Sequence, residues 1–228
     1  MASNSAISKE DFLRRKRDYS DLLVHLTRDT ENGTAKQNLE SILQQHTIRA
    51  YDHHCFFSSH LRAAGQTEFA QFFRVACFTE TPIDLIGLLT LELAGRQKAY
   101  KPFGLVFKKD YVAINGGNPV FYAKPRYATR FWSLFDEAKG SGTEDKKEIC
   151  SLLALVNSLA EHNDWHWERE WRTVGDFHFD TQNAYCGLCP QSHIRYFELA
   201  YGLPFIDPGW TIGQILDRLV LNHRAAAG

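Results

Sequence analysis

An excess of charge of either sign is missing from this sequence: 26 Lys and Arg stand against 27 Asp and Glu. A strongly basic nucleic-acid binder is therefore not indicated. The one local basic patch, Arg14, Arg15, Lys16 and Arg17, lies in an acidic-basic stretch, where a solvated helix face accounts for it better. Long apolar runs are missing too. The closest is the mixed stretch 82–94, and the first twenty residues have no continuous apolar core. No membrane association and a cytoplasmic location are expected. There is no internal repeat, no low-complexity tract and no Walker phosphate loop. Five cysteines form an odd set without secreted-scaffold spacing, so a reducing cytosol is the default.

What is present suits a globular chain. Apolar residues make up 44% of 228, enough to bury a core without disulfides or metal. The 16 Phe, 9 Tyr and 5 Trp favour strands and a thick core, and they allow flat ligands to be stacked. Residues 1–228 read as one α+β domain, with 1–18 as an N-terminal helical extension. Residues 21–27 read as a strand carrying His25. Thr34 and Gln37 form a cap pair for a helix with Leu39, Ile42 and Leu43 as its apolar stripe. Residues 74–79 and 103–107 read as strands, and Pro82 starts an apolar helix. Residues 115–119 form a turn and 119–123 a strand. Residues 139–145 read as a polar mobile loop, 148–159 as an amphipathic helix, 164–179 as one long strand and 212–221 as a strand or short helix. The fold class is α+β: a mixed, mainly antiparallel sheet with flanking helices.

Alternation gives the long strand two faces. One carries His166, Glu168, Glu170 and Arg172; the other carries Trp165, Trp167, Arg169, Trp171 and Thr173. Three tryptophans mark the buried side, so the charged side faces solvent or a cleft. Two glutamates about 7 Å apart along one face suit a polyhydroxylated or cationic ligand. Carboxylates accept hydrogen bonds from ribose hydroxyls and stabilise positive charge growing on a sugar ring. A wet face of an antiparallel sheet explains the same pattern without chemistry.

Other constellations are weaker. Cys186 and Cys189 form a single CxxC followed by His193, and His53, His54, Cys55 and His60 lie upstream. Zinc needs four converging ligands, and one CxxC without a second knuckle does not supply them, so no metal is expected. Cys77 and Cys150 read as small core residues rather than nucleophiles. His25, between Val24 and Leu26, fits a satisfied core histidine as well as a ligand contact.

The segment from Glu168 to Arg172, with Trp165 and Trp167 before it, resembles the late motif of the AbiGi-like abortive-infection family. The run Val75-Ala76-Cys77-Phe78-Thr79-Glu80-Thr81-Pro82 resembles its mid-chain motif. Phe103 to Phe107 followed by Pro119 to Tyr122 resembles its next strand pair. The ground plan is similar to DarT-like ADP-ribosyltransferases, whose His-bearing strand and Asn-Leu-x-x-Ile-Leu helix match His25-Leu26-Thr27 and Asn38 to Leu43. The resemblance implies an ADP-ribosyltransferase-like fold and an enzyme that uses NAD as substrate, acting as a toxin or anti-phage effector. It implies a nucleic-acid or protein acceptor and a cognate antitoxin or regulator. It places His25 on the ribose, Thr27 on the nicotinamide side, Tyr122 or Phe78 against the ring, and Arg126 and Arg172 among the cofactor contacts. It makes Glu170 the residue that holds the ribose hydroxyl and Glu168 the one that orients or deprotonates the acceptor. The Asn-Pro-Arg segment of DarT-type enzymes has no counterpart near Pro82. A non-catalytic nucleotide- or protein-binding regulatory domain is the alternative.

Overall fold

A computed structural model describes residues 19–51, 55–57, 61, 70–91, 100–159 and 166–226. In chain order the elements are β1 (Leu22–Leu26), α1 (Ala35–Gln45), β2 (Thr47–Ile48), β3 (Val75–Thr79), α2 (Ile86–Leu89) and β4 (Gly104–Lys108). There follow α3 (Lys109–Ile114), β5 (Asn118–Pro119), β6 (Phe121–Ala123), α4 (Ala128–Gly140), α5 (Thr143–Ala154) and β7 (Val156–Ser158). The chain continues through β8 (Glu170–Val174), β9 (Phe177–His178), β10 (Ala184–Leu188), α6 (Gln191–Tyr201), β11 (Phe205–Ile206) and α7 (Ile212–Ala226). Seven strands form the main sheet in the order β11-β10-β4-β1-β3-β8-β5. Every pairing in it is antiparallel except β10 with β11, which α6 connects. The architecture is thus mixed α+β with a mainly antiparallel sheet and flanking helices. No described helix is long and apolar enough to cross a membrane.

Strand alternation sorts the core. On one face Leu23, Ala76, Phe78, Leu105 and Phe107 pack with Leu39 and Leu43 of α1 and Phe197 of α6. The opposite face carries two separate clusters. Val75 joins Phe57, Phe135 and Leu153 beneath α4 and α5. Val24 and Val106 join Ile86 of α2 and Ile215 of α7. Thr79, Glu170 and Arg172 share this second face, and belong to neither cluster. They occupy the boundary between two apolar packs.

The sheet is weakly stitched at that boundary. β1 pairs with β4 over five registered positions, and β3 with β8 over five. β1 and β3 register only at Val24 and Thr79. His25 bridges the seam instead: its Nδ1 lies 2.8 Å from the Cys77 carbonyl, which only accepts, so Nδ1 is the donor.

Local signals explain several elements. The Thr34 hydroxyl accepts from the Gln37 N–H at 3.3 Å, and the Gln37 amide oxygen accepts from the Thr34 N–H at 2.9 Å. This reciprocal box is worth about 1 kcal/mol. Gly202, at φ 65, closes α6 in the left-handed conformation that glycine adopts without steric cost.

Three sequence expectations need correction. Residues 139–145 are not a loop: α4 runs through Gly140 and α5 starts at Thr143, because Lys and Glu favour an exposed helix. The helix expected over 148–159 ends at Ala154, and Val156–Ser158 pair as a strand with β6. The long strand over 164–179 is broken. A 3-10 turn spans His166–Glu168, Arg169 sits at φ 50, and Gly175 at φ 82 ends β8. Residues 212–221, expected as a strand or short helix, take the helical alternative in α7. Cys186 lies in β10. The helical extension 1–18, and the histidines 53, 54 and 60, lie outside the described residues.

Candidate functional site

The site grows from β8. Glu170 and Arg172 are two residues apart and share a face, and their β3 partners are Thr79 and Cys77. The charged side of this strand was expected to meet solvent or a cleft, but Arg172 is 0% exposed. Its guanidinium spends its donors internally. Nε meets Glu170 Oε1 at 3.0 Å, Nη2 meets Oε2 at 2.9 Å, and Nη1 meets the Ala154 carbonyl at 2.7 Å. Burial opposes the charge, but Glu170 beside it more than offsets this and holds the guanidinium above its ordinary range. Of the tryptophans expected to mark the buried face, Trp171 packs against the core, Trp167 is 43% exposed, and Trp165 lies outside the described residues.

Glu170 is 14% exposed, and the Tyr122 hydroxyl donates to its Oε2 at 3.3 Å. Tyr122 arrives on β6, which β7 holds in parallel register. Burial first, and Glu170 second, push its phenol well above the usual range. Tyr100 belongs to the same neighbourhood. Its phenol is raised by burial, then by the charges of Glu168, Cys77 and Glu170. Glu168 also acts electrostatically on Tyr122. Glu170, Tyr122 and the buried guanidinium thus meet at the cluster boundary, and the charges of Glu168 and Glu170 reach the phenols of Tyr100 and Tyr122.

The break at Arg169 is what brings Glu168 there. Because Glu168 lies in a 3-10 turn, it does not share a strand face with Glu170. The turn is pinned from both sides of the sheet. The Thr79 hydroxyl donates to the Glu168 carbonyl at 2.5 Å, and the Glu80 N–H donates to the Arg169 carbonyl at 3.0 Å. The Glu80 carboxylate takes Arg169 Nη2 at 2.6 Å, Lys109 Nζ at 2.9 Å and the Trp171 indole N–H at 2.9 Å. A left-handed arginine costs about 1–3 kcal/mol and persists only when its surroundings hold it.

The other expected site residues stand elsewhere. Phe78 is buried core, edge-on to Phe107 and Phe177, and presents no face for stacking. Thr27 is buried, with its hydroxyl 2.8 Å from the Ala35 carbonyl and 3.1 Å from that of Phe103. Arg126 is exposed and donates to the Tyr127 hydroxyl at 2.8 Å. His25 lies at the seam with its ring against Phe78, on the face opposite Glu170. Tyr100, Thr79, Glu80 and Lys109 were not singled out individually. Thr79 and Glu80 do fall inside the motif at residues 75–82, which is the one sequence signal that pointed to them.

Burial lowers His25 to a pKa of about 4, with the Cys77 bond opposing and Arg28 reinforcing the shift. The unfolded histidine titrates near 6.5, so between pH 6.5 and 4 the unfolded chain binds the extra proton. The contribution is complete above pH 6.5 and is lost as pH falls toward 4, by up to about 3 kcal/mol. Urea melts of His25→Gln should accordingly lose less stability between pH 7 and 4.5 than the parent. Equal acid losses in both would remove His25 from the account.

The structure separates Cys186 from Cys189. Cys186 packs in the cluster beneath α2 and α7, and Cys189 in the one beneath α1 and α6, so the two thiols diverge. Burial raises both thiols, Cys189 to about 12, against the thiolate that zinc requires. No group of three or more potential metal ligands exists among the described residues.

Two open hollows of about 420 and 330 Å³ lie elsewhere, at the β2–β9 pair. Arg49, Arg74, Asp176 and His178 line the first, and Tyr111 and Asp180 the second. Arg74 precedes β3 and Asp176 follows β8, at the end of those strands away from Glu170. No protein-family model, curated protein or solved structure gives a significant match to this chain.

Proposed function

We propose that this protein is an ADP-ribosyltransferase-like enzyme that uses NAD to modify a macromolecule or nucleotide. A toxin or phage-defence role in the cytoplasm, with a cognate antitoxin or regulator, goes with this reading. One observation carries it: Glu170 is held by buried Arg172 and Tyr122, within electrostatic reach of Tyr100, on the face where β1 and β3 register at a single pair. A carboxylate offers about four lone-pair positions. Three on Glu170 are taken by Arg172 and Tyr122, which leaves one on Oε1 for a ribose hydroxyl. The carboxylate is thus preorganised to hold the sugar while the bond from nicotinamide to ribose breaks and positive charge grows on the ring. Glu168, in the turn before β8, takes the proton as the acceptor attacks the anomeric carbon. Nicotinamide leaves with the bonding electron pair.

The test is nicotinamide release and label transfer from NAD, with nucleic acid and protein offered as acceptors. Glu168→Gln and Glu170→Gln should each lower turnover by roughly a hundredfold, or about 2.7 kcal/mol. Absence of release with every acceptor class, in folded protein, rejects the enzymatic reading. The second reading, a non-catalytic nucleotide- or protein-binding regulatory domain, is favoured by the internal pairing of Glu170 with Arg172. It predicts binding without turnover, unchanged in both Gln variants.

A further inference from the structure

The apolar arc of α7 is wider than the core beneath it. Ile215 is buried and Leu219 is packed against the same cluster. Ile212, Leu216 and Val220 continue the arc outward and are 48%, 54% and 48% exposed. Their spacing of four residues sets them in one row along the helix. The 3-10 turn Ile83–Leu85 packs against α7, and Leu85 is exposed there, as are Leu88 and Leu91 on the following segment. That segment has aliphatic residues on both its inner and outer faces, the pattern of a helix covered from two sides.

We infer that this face is where two copies of the protein meet, with their α7 helices antiparallel about a two-fold axis at Leu216. The row is its own complement. Reversal places Leu216 opposite Leu216 and Ile212 opposite Val220, as an isologous contact requires. Gly213 borders the row, and a Cβ built there meets only Thr211 Oγ1 at 4.0 Å, so the backbones have room to approach. The six aliphatic side chains expose on the order of 500 Å², near the upper end for a monomer. Pairing covers this on both copies, about 1,000 Å² in total, around the lower bound for a specific interface. Micromolar association follows. Charge argues against a lipid surface. Among the described side chains of α7 the one cation is Arg218, and both its bonds go to Glu198. The neighbouring exposed charge is Asp217, and interfacial helices rely on exposed Lys and Arg.

Sedimentation equilibrium of the full chain between about 1 and 100 µM tests this, that range spanning the expected micromolar association. A monomer–dimer equilibrium is expected, weakened at least tenfold by Leu216→Glu with an unchanged circular dichroism spectrum. Leu216→Cys should cross-link to itself under mild oxidation. The same change at exposed Leu152, on α5, should not. A wild-type monomer throughout, a dimer indifferent to Leu216→Glu, or a monomer that pelts with phosphatidylglycerol vesicles through Leu216 overturns the inference.

Discussion

Arg172→Met is expected to destabilise the protein by about 3–5 kcal/mol, because it removes one partner of a buried ion pair and strands the other. Among the described residues the guanidinium donates twice to Glu170 and once to the Ala154 carbonyl. Methionine fills much of the volume but satisfies none of them. In a chain of this size the loss should lower the melting temperature by about 10 °C. Arg172→Lys should recover little, since one ammonium cannot span both carboxylate oxygens and the end of α5. The double variant Glu170→Leu with Arg172→Met should recover most of the loss, because an apolar pair removes the stranded charge. Thermal melts of the three variants settle this. A single Arg172→Met variant as stable as the parent would mean that the pair is open to water.

Glu80→Leu should cost about 3 kcal/mol, although Glu80 lies on the face opposite Glu170. Its carboxylate is 12% exposed and gathers Lys109, Arg169 and the Trp171 indole. Without it, two cations lose their counter-ion and a half-buried indole N–H loses its acceptor. The left-handed Arg169 then loses its ion pair with Glu80 while the backbone bonds from Thr79 and residue 80 remain, and the turn that presents Glu168 loosens. Arg169→Gly separates the two contributions. It loses the ion pair but relieves the backbone, so its cost should be within about 1 kcal/mol of zero. The indole N–H resonance of Trp171, assigned from Trp171→Phe, should shift in Glu80→Leu and stay near its place in Arg169→Gly. Equal stability losses in the two variants would contradict this division.

How much of this was legible follows from the range of the interactions. β1, β3, β4 and the Thr34 box depend on residues within a few positions of each other, and composition and alternation reveal them. The burial of Arg172 depends on the Ala154 carbonyl, 18 residues away, and on two clusters that leave a gap between them. No local pattern encodes that. The break at Arg169 is hidden for a related reason. Arginine has no preference for positive φ, and the turn forms because Thr79 and Glu80, some 89 residues earlier, hold its backbone. The spacing of Cys186 and Cys189 is that of a knuckle, but it does not show that a strand sends them to different clusters. The grouping of Glu168, Glu170 and Tyr122 among candidate site residues needed the family resemblance. Their convergence with Tyr100 at the split needed the structure.

The central claim is that this split holds NAD. NAD titrated into protein labelled at tyrosine and histidine, followed by NMR, addresses it most directly. The account predicts that Tyr100 and Tyr122 resonances shift together and saturate, and that Glu170→Gln weakens binding about tenfold, or 1.4 kcal/mol. No shift at saturating NAD, or shifts confined to Tyr51 and His178 around the hollow at β2–β9, would contradict it.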